Sequence, residues 1–325
     1  MRYYYAPMEG ITGYIQRNAC HAFFPGIDKY FTAFIAPNQR GHFSTREKND
    51  ILPEHNKGIY LVPQILTNNA EDFILTVRKL AQYGYGEVNL NLGCPSKTVV
   101  SKYRGSGFLA KPEELDRFLE EIFSKTEIKI SIKTRIGRDE PEEWEHLMEI
   151  YNKYPLEELI VHPRTQKDFY KNTPNLDVFE KVLEKSRCPV CYNGDLFSRR
   201  EFLDWKEHFP QVDTVMIGRG LLMNPGLVGL IENGMMPDKE TLFAFHNQIY
   251  EAYQREMCGD KNVLFKMKEL WIYMIRIFTN SKKYAKRIKK AEKLTAYEDA
   301  VNDLFKEQEL MEDGEEDSET VYTSE

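Results

Sequence analysis

The sequence predicts a (β/α)8 TIM barrel followed by a smaller all-helical domain. Three observations carry that prediction. Eight short strand-like runs alternate with helix-period segments over roughly 230 residues, which matches the size and rhythm of a closed parallel barrel. No GxGxxG follows the first run, so the main cue for a dinucleotide-binding open sheet is missing. Beyond about residue 235 only helical periodicity remains, and the charge turns strongly basic.

The strand-like runs fall at 3–6, 30–35, 60–65, 87–92, 128–134, 158–162, 189–193 and 213–217. Helical patterns fall at 14–24, 70–83, 112–125, 141–154, 176–185, 199–207 and 225–232, the third opening on Pro112, which suits a first helical turn. The stretch 37–56 shows no clear period and stays unassigned. This places a catalytic barrel at 1–235, a basic helical domain at 236–306 and an acidic, disordered tail at 307–325.

The bulk properties narrow the class. The chain has 325 residues, 42% hydrophobic and 29% charged, the composition of a globular protein. It contains no run of about 18 apolar residues and opens without the apolar core of a signal peptide, so the expectation is a cytoplasmic protein with no membrane partner. Five cysteines in such a chain argue against a disulfide framework. Cys188 and Cys191 look like half a zinc site, but residues three apart on a strand face opposite ways and no second CxxC accompanies them, so no structural metal is expected. The formal charge of −7 hides an asymmetry: nine carboxylates and no Lys or Arg lie in 307–325, leaving the other 306 residues at +2. Residues 261–293 hold eleven Lys and Arg against Glu269 and Glu292, a concentrated cationic face. Trp271, Tyr273 and Phe278 are interleaved with these charges and read as helix core in preference to base-stacking groups.

Chemistry concentrates at the predicted strand ends, where barrels of this kind carry their sites. The run from Glu87 alternates, with Asn89 and Asn91 on one side, then breaks at Gly93 and delivers Cys94 between that glycine and Pro95. Such a thiol is either a small buried residue or a group placed for reaction. Lys97, Lys102 and Arg104 follow, with Gly105 and Gly107, which suits an anionic partner. In 128–134 the isoleucines take the outer face, turning Lys129, Ser131, Lys133 and Arg135 toward the lumen or its mouth. Gln64 and His162 also end strands. The last two strands end in Asn193-Gly194-Asp195 and Gly218-Arg219-Gly220; glycine admits an anion to the backbone, arginine adds a bidentate donor, and these are the strand positions at which such barrels bind phosphate.

Taken together, APMEG at 6–10, Gln64, NLGCPS at 91–96, GSGFLAKP at 105–112, KTRIG at 133–137, VHPRT at 161–165, NGD at 193–195 and MIGRG at 216–220 resemble the tRNA-dihydrouridine synthases in order and spacing. The resemblance covers residues 1 to about 232; the basic remainder resembles that family's RNA-binding domain less specifically. It implies an FMN-dependent enzyme that reduces the C5–C6 bond of uridines in the tRNA D-loop, with NADPH or NADH as reductant. By it, Pro7, Met8 and Glu9 border the isoalloxazine, Gln64 meets its pyrimidine edge, Lys133 places positive charge at the N1/O2 edge, and His162 lies alongside. Asn193, Gly194, Asp195, Gly218 and Arg219 take the ribityl phosphate, Asn91 grips the uracil, and Cys94 gives the proton; an ordinary thiol, with pKa of about 8.5, is mostly protonated at neutral pH. Lys97, Arg104, Lys286, Lys289 and Lys290 are the expected contacts to tRNA, and the expected enzyme is monomeric. Pro163 departs from the family's usual Gly or Ala and removes a backbone N–H. The competing readings are an FMN barrel acting on a free pyrimidine, dihydroorotate-dehydrogenase-like, which leaves the basic module unexplained; a non-catalytic RNA-binding barrel; and a sugar-phosphate barrel enzyme.

Overall fold

The computed structural model describes residues 1–37 and 42–313. Among the described residues nine strands form one sheet: β1 Arg2–Tyr5, β2 Lys29–Phe31, β3 Leu61–Val62, β4 Gln64–Ile65, β5 Glu87–Leu92, β6 Lys129–Gly137, β7 Leu159–Thr165, β8 Val190–Tyr192 and β9 Thr214–Ile217. Their order is β3-β2-β1-β9-β8-β7-β6-β5-β4. Only Pro63 separates β3 from β4, so the two ends of that order meet within one interrupted strand. Proline has no N–H for the ladder, which is why the run at 60–65 splits there. A parallel bridge from Ile35 to Ile65 closes the ring, with Ile35 N donating to Gln64 O at 2.7 Å. The barrel therefore has the eight strand positions that the sequence predicts.

The helices are α1 Tyr14–Phe23, α2 Thr45–Ile51, α3 Ala70–Gln82, α4 Lys97–Val100, α5 Pro112–Lys125, α6 Glu143–Tyr151 and α7 Leu176–Lys185. They continue as α8 Arg199–His208, α9 Arg219–Met223, α10 Leu227–Asn233, α11 Lys239–Glu256, α12 Asp260–Met274, α13 Lys282–Lys290 and α14 Leu294–Glu307. Their starts have local causes. Asn69 and Asn175 accept from the N3 amides of α3 and α7, and Ser198 with Glu201 forms a capping box on α8. The unassigned stretch contains α2, opened by a second capping box between Ser44 and Glu47. Its residues 38–41 lie outside those described.

Strand parity decides what fills the lumen. Tyr4, Phe31, Val62, Ile160, Cys191 and Met216, one from each of six strands, form a buried apolar cluster. Cys191 is thus a core residue, and burial pushes its thiol well above the usual range. Asn91 registers opposite Lys133, Lys133 opposite Ile160, and Ile160 opposite Cys191, so the polar groups of β5 and β6 share a level with the apolar ones of β7 and β8.

The chain divides into two compact units. The first comprises Met1–Pro7, Asp28–Asp195 and Gln211–Met216; the second comprises Met8–Ile27, Leu196–Pro210 and the chain from Ile217. This division differs from a cut at 235, because α1 packs with α11: Phe24 and Phe245 meet edge-on at 5.3 Å. In the second unit Trp271 and Phe278 are buried, with Phe278 against Phe305 at 4.9 Å, so this aromatic stripe is core; Tyr273 is half-buried. Trp271 Nε1 donates to the Tyr297 hydroxyl at 2.8 Å, and His246 Nε2 meets the same oxygen at 2.6 Å. Residues 307–313, expected to be the start of a disordered tail, are structured: Glu307 ends α14, Leu310 bridges Phe278 antiparallel, and Asp313 accepts from the Arg199 and Arg200 amides. Residues 314–325 lie outside those described.

Candidate active site

A buried amide ladder leads to Cys94. Gln64 Nε2 donates to Asn89 Oδ1 at 2.8 Å, Asn89 Nδ2 to Ser131 Oγ at 3.0 Å, and Asn91 Nδ2 to Gln64 Oε1 at 2.7 Å. All four side chains are buried, where each amide needs its partner. Asn91 Oδ1 then accepts from the Gly93 and Cys94 amides at 3.1 and 3.0 Å. From another side, Arg135 Nε donates to Gly93 O at 2.9 Å. From a third, Ser106 donates to Cys94 O through its amide at 3.1 Å and its hydroxyl at 2.8 Å. Gly105 allows that approach: its φ is +55°, and a Cβ there would stand 2.8 Å from Cys94 O. The GCPS and GSG motifs are two halves of one structure.

Positive charge gathers beside this loop. Burial, and secondarily the Arg135 guanidinium, bring the Lys133 ammonium down to about 8, and no carboxylate is among the groups acting on it. Arg135 is 1% exposed, reaches Thr165 O with Nη1 at 2.7 Å, and lies over the Tyr170 ring at 5.5 Å. Arg164, also buried, grips Asp195 with both Nη atoms, at 3.0 and 2.5 Å, and its Nε donates to Asn172 O. Its Nη1 also meets His162 Nε2 at 3.0 Å. A guanidinium only donates, so this nitrogen accepts and the imidazole proton sits on Nδ1.

At the end of β8, Asn193 is tied in twice: its amide to Val161 O at 2.9 Å and its Nδ2 to Met216 O at 2.8 Å. Gly194 has a steric reason to be glycine, since a Cβ there would fall 2.0 Å from the Tyr192 hydroxyl oxygen. Pro163 lies where the β6–β7 register shifts, in the span that sets Arg135–Gly137 against His162–Thr165, so the absent N–H coincides with a ladder irregularity.

A model of the dihydrouridine synthase (Dus) family matches residues 4–320. The chain belongs to the dihydrouridine synthase family. It is 26% identical over 242 residues to tRNA-dihydrouridine synthase B of Pasteurella multocida, covering 74% of this chain and 72% of that one. It is 30% identical over 233 residues to a probable tRNA-dihydrouridine synthase of Staphylococcus aureus strain Mu50, covering 68% of each. Among solved structures, a variant of NCR from Zymomonas mobilis superimposes with a TM-score of 0.51 at 13% identity, over 74% of this chain and 90% of that one. A morphinone reductase variant in complex with tetrahydroNAD does so with a TM-score of 0.51 at 14% identity, over 74% and 89%. These last two likenesses speak to the barrel fold.

In this dihydrouridine synthase the structure brings together Gln64, Asn91 and Cys94 by hydrogen bonds, with Lys133 in register beside Asn91, and joins His162 to Asp195 through Arg164. Pro7 lies two residues past β1 in the first unit. Met8, Glu9, Gly218 and Arg219 belong to the second unit. There the Met8 carbonyl accepts from the Ile11 and Thr12 amides, Gly218 caps α9, and Arg219 lies over Phe197 at 5.1 Å. Lys97 is exposed on α4, while Arg104 Nε reaches Asn68 Oδ1 at 3.4 Å. Lys286, Lys289 and Lys290 line the exposed face of α13, opposite buried Tyr284 and Ile288. Four other cations of the basic stretch hold the fold: Lys266 donates to Gly10 O, Lys268 to Ala291 O, Lys283 pairs with Glu307 and Arg287 with Asp303. Sequence reasoning missed Ser106 and Arg164 as site residues and assigned Arg135 nothing beyond facing the lumen. Arg164 lies two residues past His162, on the same strand face, and that spacing was the available signal. No helix of the described residues is long and apolar enough to cross a membrane, and no cluster of three or more metal-ligating side chains occurs among them.

Proposed function

We propose that this chain is a tRNA-dihydrouridine synthase that reduces uridines of the tRNA D-loop with FMN as its flavin and NADPH or NADH as reductant, acting as a monomer in the cytoplasm. The observation that carries the reading is a thiol on a strand end, its backbone held from three sides, beside a half-buried lysine that no carboxylate among the described residues neutralises. That lysine also supplies the test of fit: a half-buried cation that the described residues leave without a counter-anion suits a flavin that becomes anionic on reduction. Lys133, His162 and Asn193 are the residues of the first unit that would hold it, with Gln64 toward its pyrimidine edge. When bound, the flavin supplies the hydride that adds to uracil C6.

The chain supplies the rest. Cys94 delivers the proton to C5. Asn91 has its oxygen and one N–H engaged, so it offers one remaining N–H to a uracil oxygen. Arg164 donates to His162 Nε2, which leaves Nδ1 as the imidazole's donor, and satisfies Asp195. The target base must leave the RNA stack, at a cost of a few kcal/mol. Phosphate contacts from Lys97, Arg104, Lys286, Lys289 and Lys290 offset that cost. The relatives' names specify tRNA, in line with the basic face of α13. Incubating the protein with FMN, NADPH and either unmodified tRNA or free uracil and dihydroorotate tests the reading. We expect dihydrouridine in the tRNA alone. Turnover of the free pyrimidines without RNA, or a colourless protein that binds no flavin, would contradict it.

A further inference from the structure

We propose that Ser106 and Arg135 are positioning residues for Cys94, fixing the peptide planes on either side of its Cα so that the thiol is presented in one orientation. The inference rests on Cys94 as proton donor and extends that reading to residues that need not touch the substrate.

The orientation of a side chain follows from the backbone angles φ and ψ of its residue and from χ1. The plane before Cys94 Cα contains Gly93 O and Cys94 N; Arg135 Nε holds the first at 2.9 Å and Asn91 Oδ1 the second at 3.0 Å. The plane after it contains Cys94 O, which takes two bonds from Ser106, at 3.1 Å from the amide and 2.8 Å from the hydroxyl. Pro95 supplies no N–H to that plane and itself confines Cys94 to extended backbone. With both planes pinned, χ1 is the thiol's main remaining freedom. Ser106 is 0% exposed and Arg135 is 1% exposed, so water does not compete for either bond. Arg135 is anchored at its far end too, on Thr165 O at 2.7 Å, so its fork joins the ends of β5, β6 and β7. A general acid must lie within hydrogen-bond reach of the carbon it protonates, and small misplacements cost rate steeply.

Filling the needs of buried carbonyls is a competing role for the same bonds, and a double-mutant cycle separates the two. Ser106→Ala deletes one hydroxyl and keeps the backbone bond; Arg135→Lys keeps the charge and loses the fork. Each is made in the Cys94 and the Cys94→Ala background. The rate of reduced-flavin oxidation by unmodified tRNA is then followed anaerobically in a single turnover, alongside flavin reduction by NADPH and tRNA affinity. We expect each change to slow the tRNA step about tenfold or more with Cys94 present and less than about twofold with it absent, leaving the other two readouts at their background values. Equal losses in both backgrounds, or none in the first, overturn the positioning role. Should Arg135→Lys fail to fold, Ser106→Ala decides alone. A Cys94→Ala protein with wild-type turnover is a separate result that removes the proton-donor reading and, with it, this inference.

Discussion

Glu158 shows what a single buried group does to this protein. It is 2% exposed; its Oε1 accepts from the Tyr4 hydroxyl at 3.1 Å, and its Oε2 has no partner. Burial pushes its pKa up to about 7, against pulls from Lys29, Tyr4 and Arg2. The folded state therefore holds a proton that the unfolded chain releases near the ordinary 4.5, and stability is lost as pH rises from about 4.5 through 7. His246 acts with the opposite sign, since burial lowers it to about 4 and stability is gained as pH rises from 4 to 6.5. Denaturant titrations of wild type and Glu158→Gln at several pH values, compared as differences, cancel the histidine. We expect wild type to lose on the order of 2–3 kcal/mol relative to the variant between pH 4.5 and 7.5. A pH-independent difference would show that folding does not shift the Glu158 pKa.

Elements were legible where a local rule acts alone. The helices Pro112–Lys125 and Leu176–Lys185 and the strand Glu87–Leu92 coincide with their predicted bounds, since proline at a first turn, strong amphipathicity and strict alternation each specify one outcome. β6 runs three residues past its predicted end because its pairing with β7 extends it to Gly137. The helix at Thr45–Ile51 was missed although Ser44-x-x-Glu47 is a legible capping box. At the site, motif glycines and the thiol were readable in sequence, but the clamp was not. Arg135 lies 42 residues from the carbonyl it holds and Arg164 lies 31 from Asp195, and nothing local announces either pairing. The basic stretch was likewise over-read, because pairings such as Arg287 with Asp303 are long-range. On α13 the lysines that face outward make a clean test. Replacing Lys286, Lys289 and Lys290 together by Gln should weaken tRNA binding and reduce the slope of log affinity against log salt by roughly 2, leaving thermal stability unchanged. An unaltered slope would remove this face from the RNA interface.

For the whole molecule, the segment after α14 carries fold as well as charge. Thr279 N donates to Glu309 O at 2.9 Å and Met311 N to Ile277 O at 2.8 Å, while Asp313 meets the first amides of α8. Truncation before Gln308 should lower the thermal midpoint by a few degrees, at roughly 2–4 °C per kcal/mol lost; an unchanged midpoint would show that these contacts contribute nothing net. The barrel itself collects a thiol, an amide ladder and the buried guanidiniums of Arg135 and Arg164 at the ends of successive strands, while apolar side chains of β1, β2, β3, β7, β8 and β9 fill the lumen. The roles proposed for these residues all require Cys94 to give up a proton. The most direct measurement of that step is dihydrouridine formed in unmodified tRNA by wild type and by Cys94→Ala, each loaded with flavin to the same absorbance. Conversion by wild type and a loss of roughly a hundredfold or more in the variant is the predicted result. Equal conversion by both would contradict it.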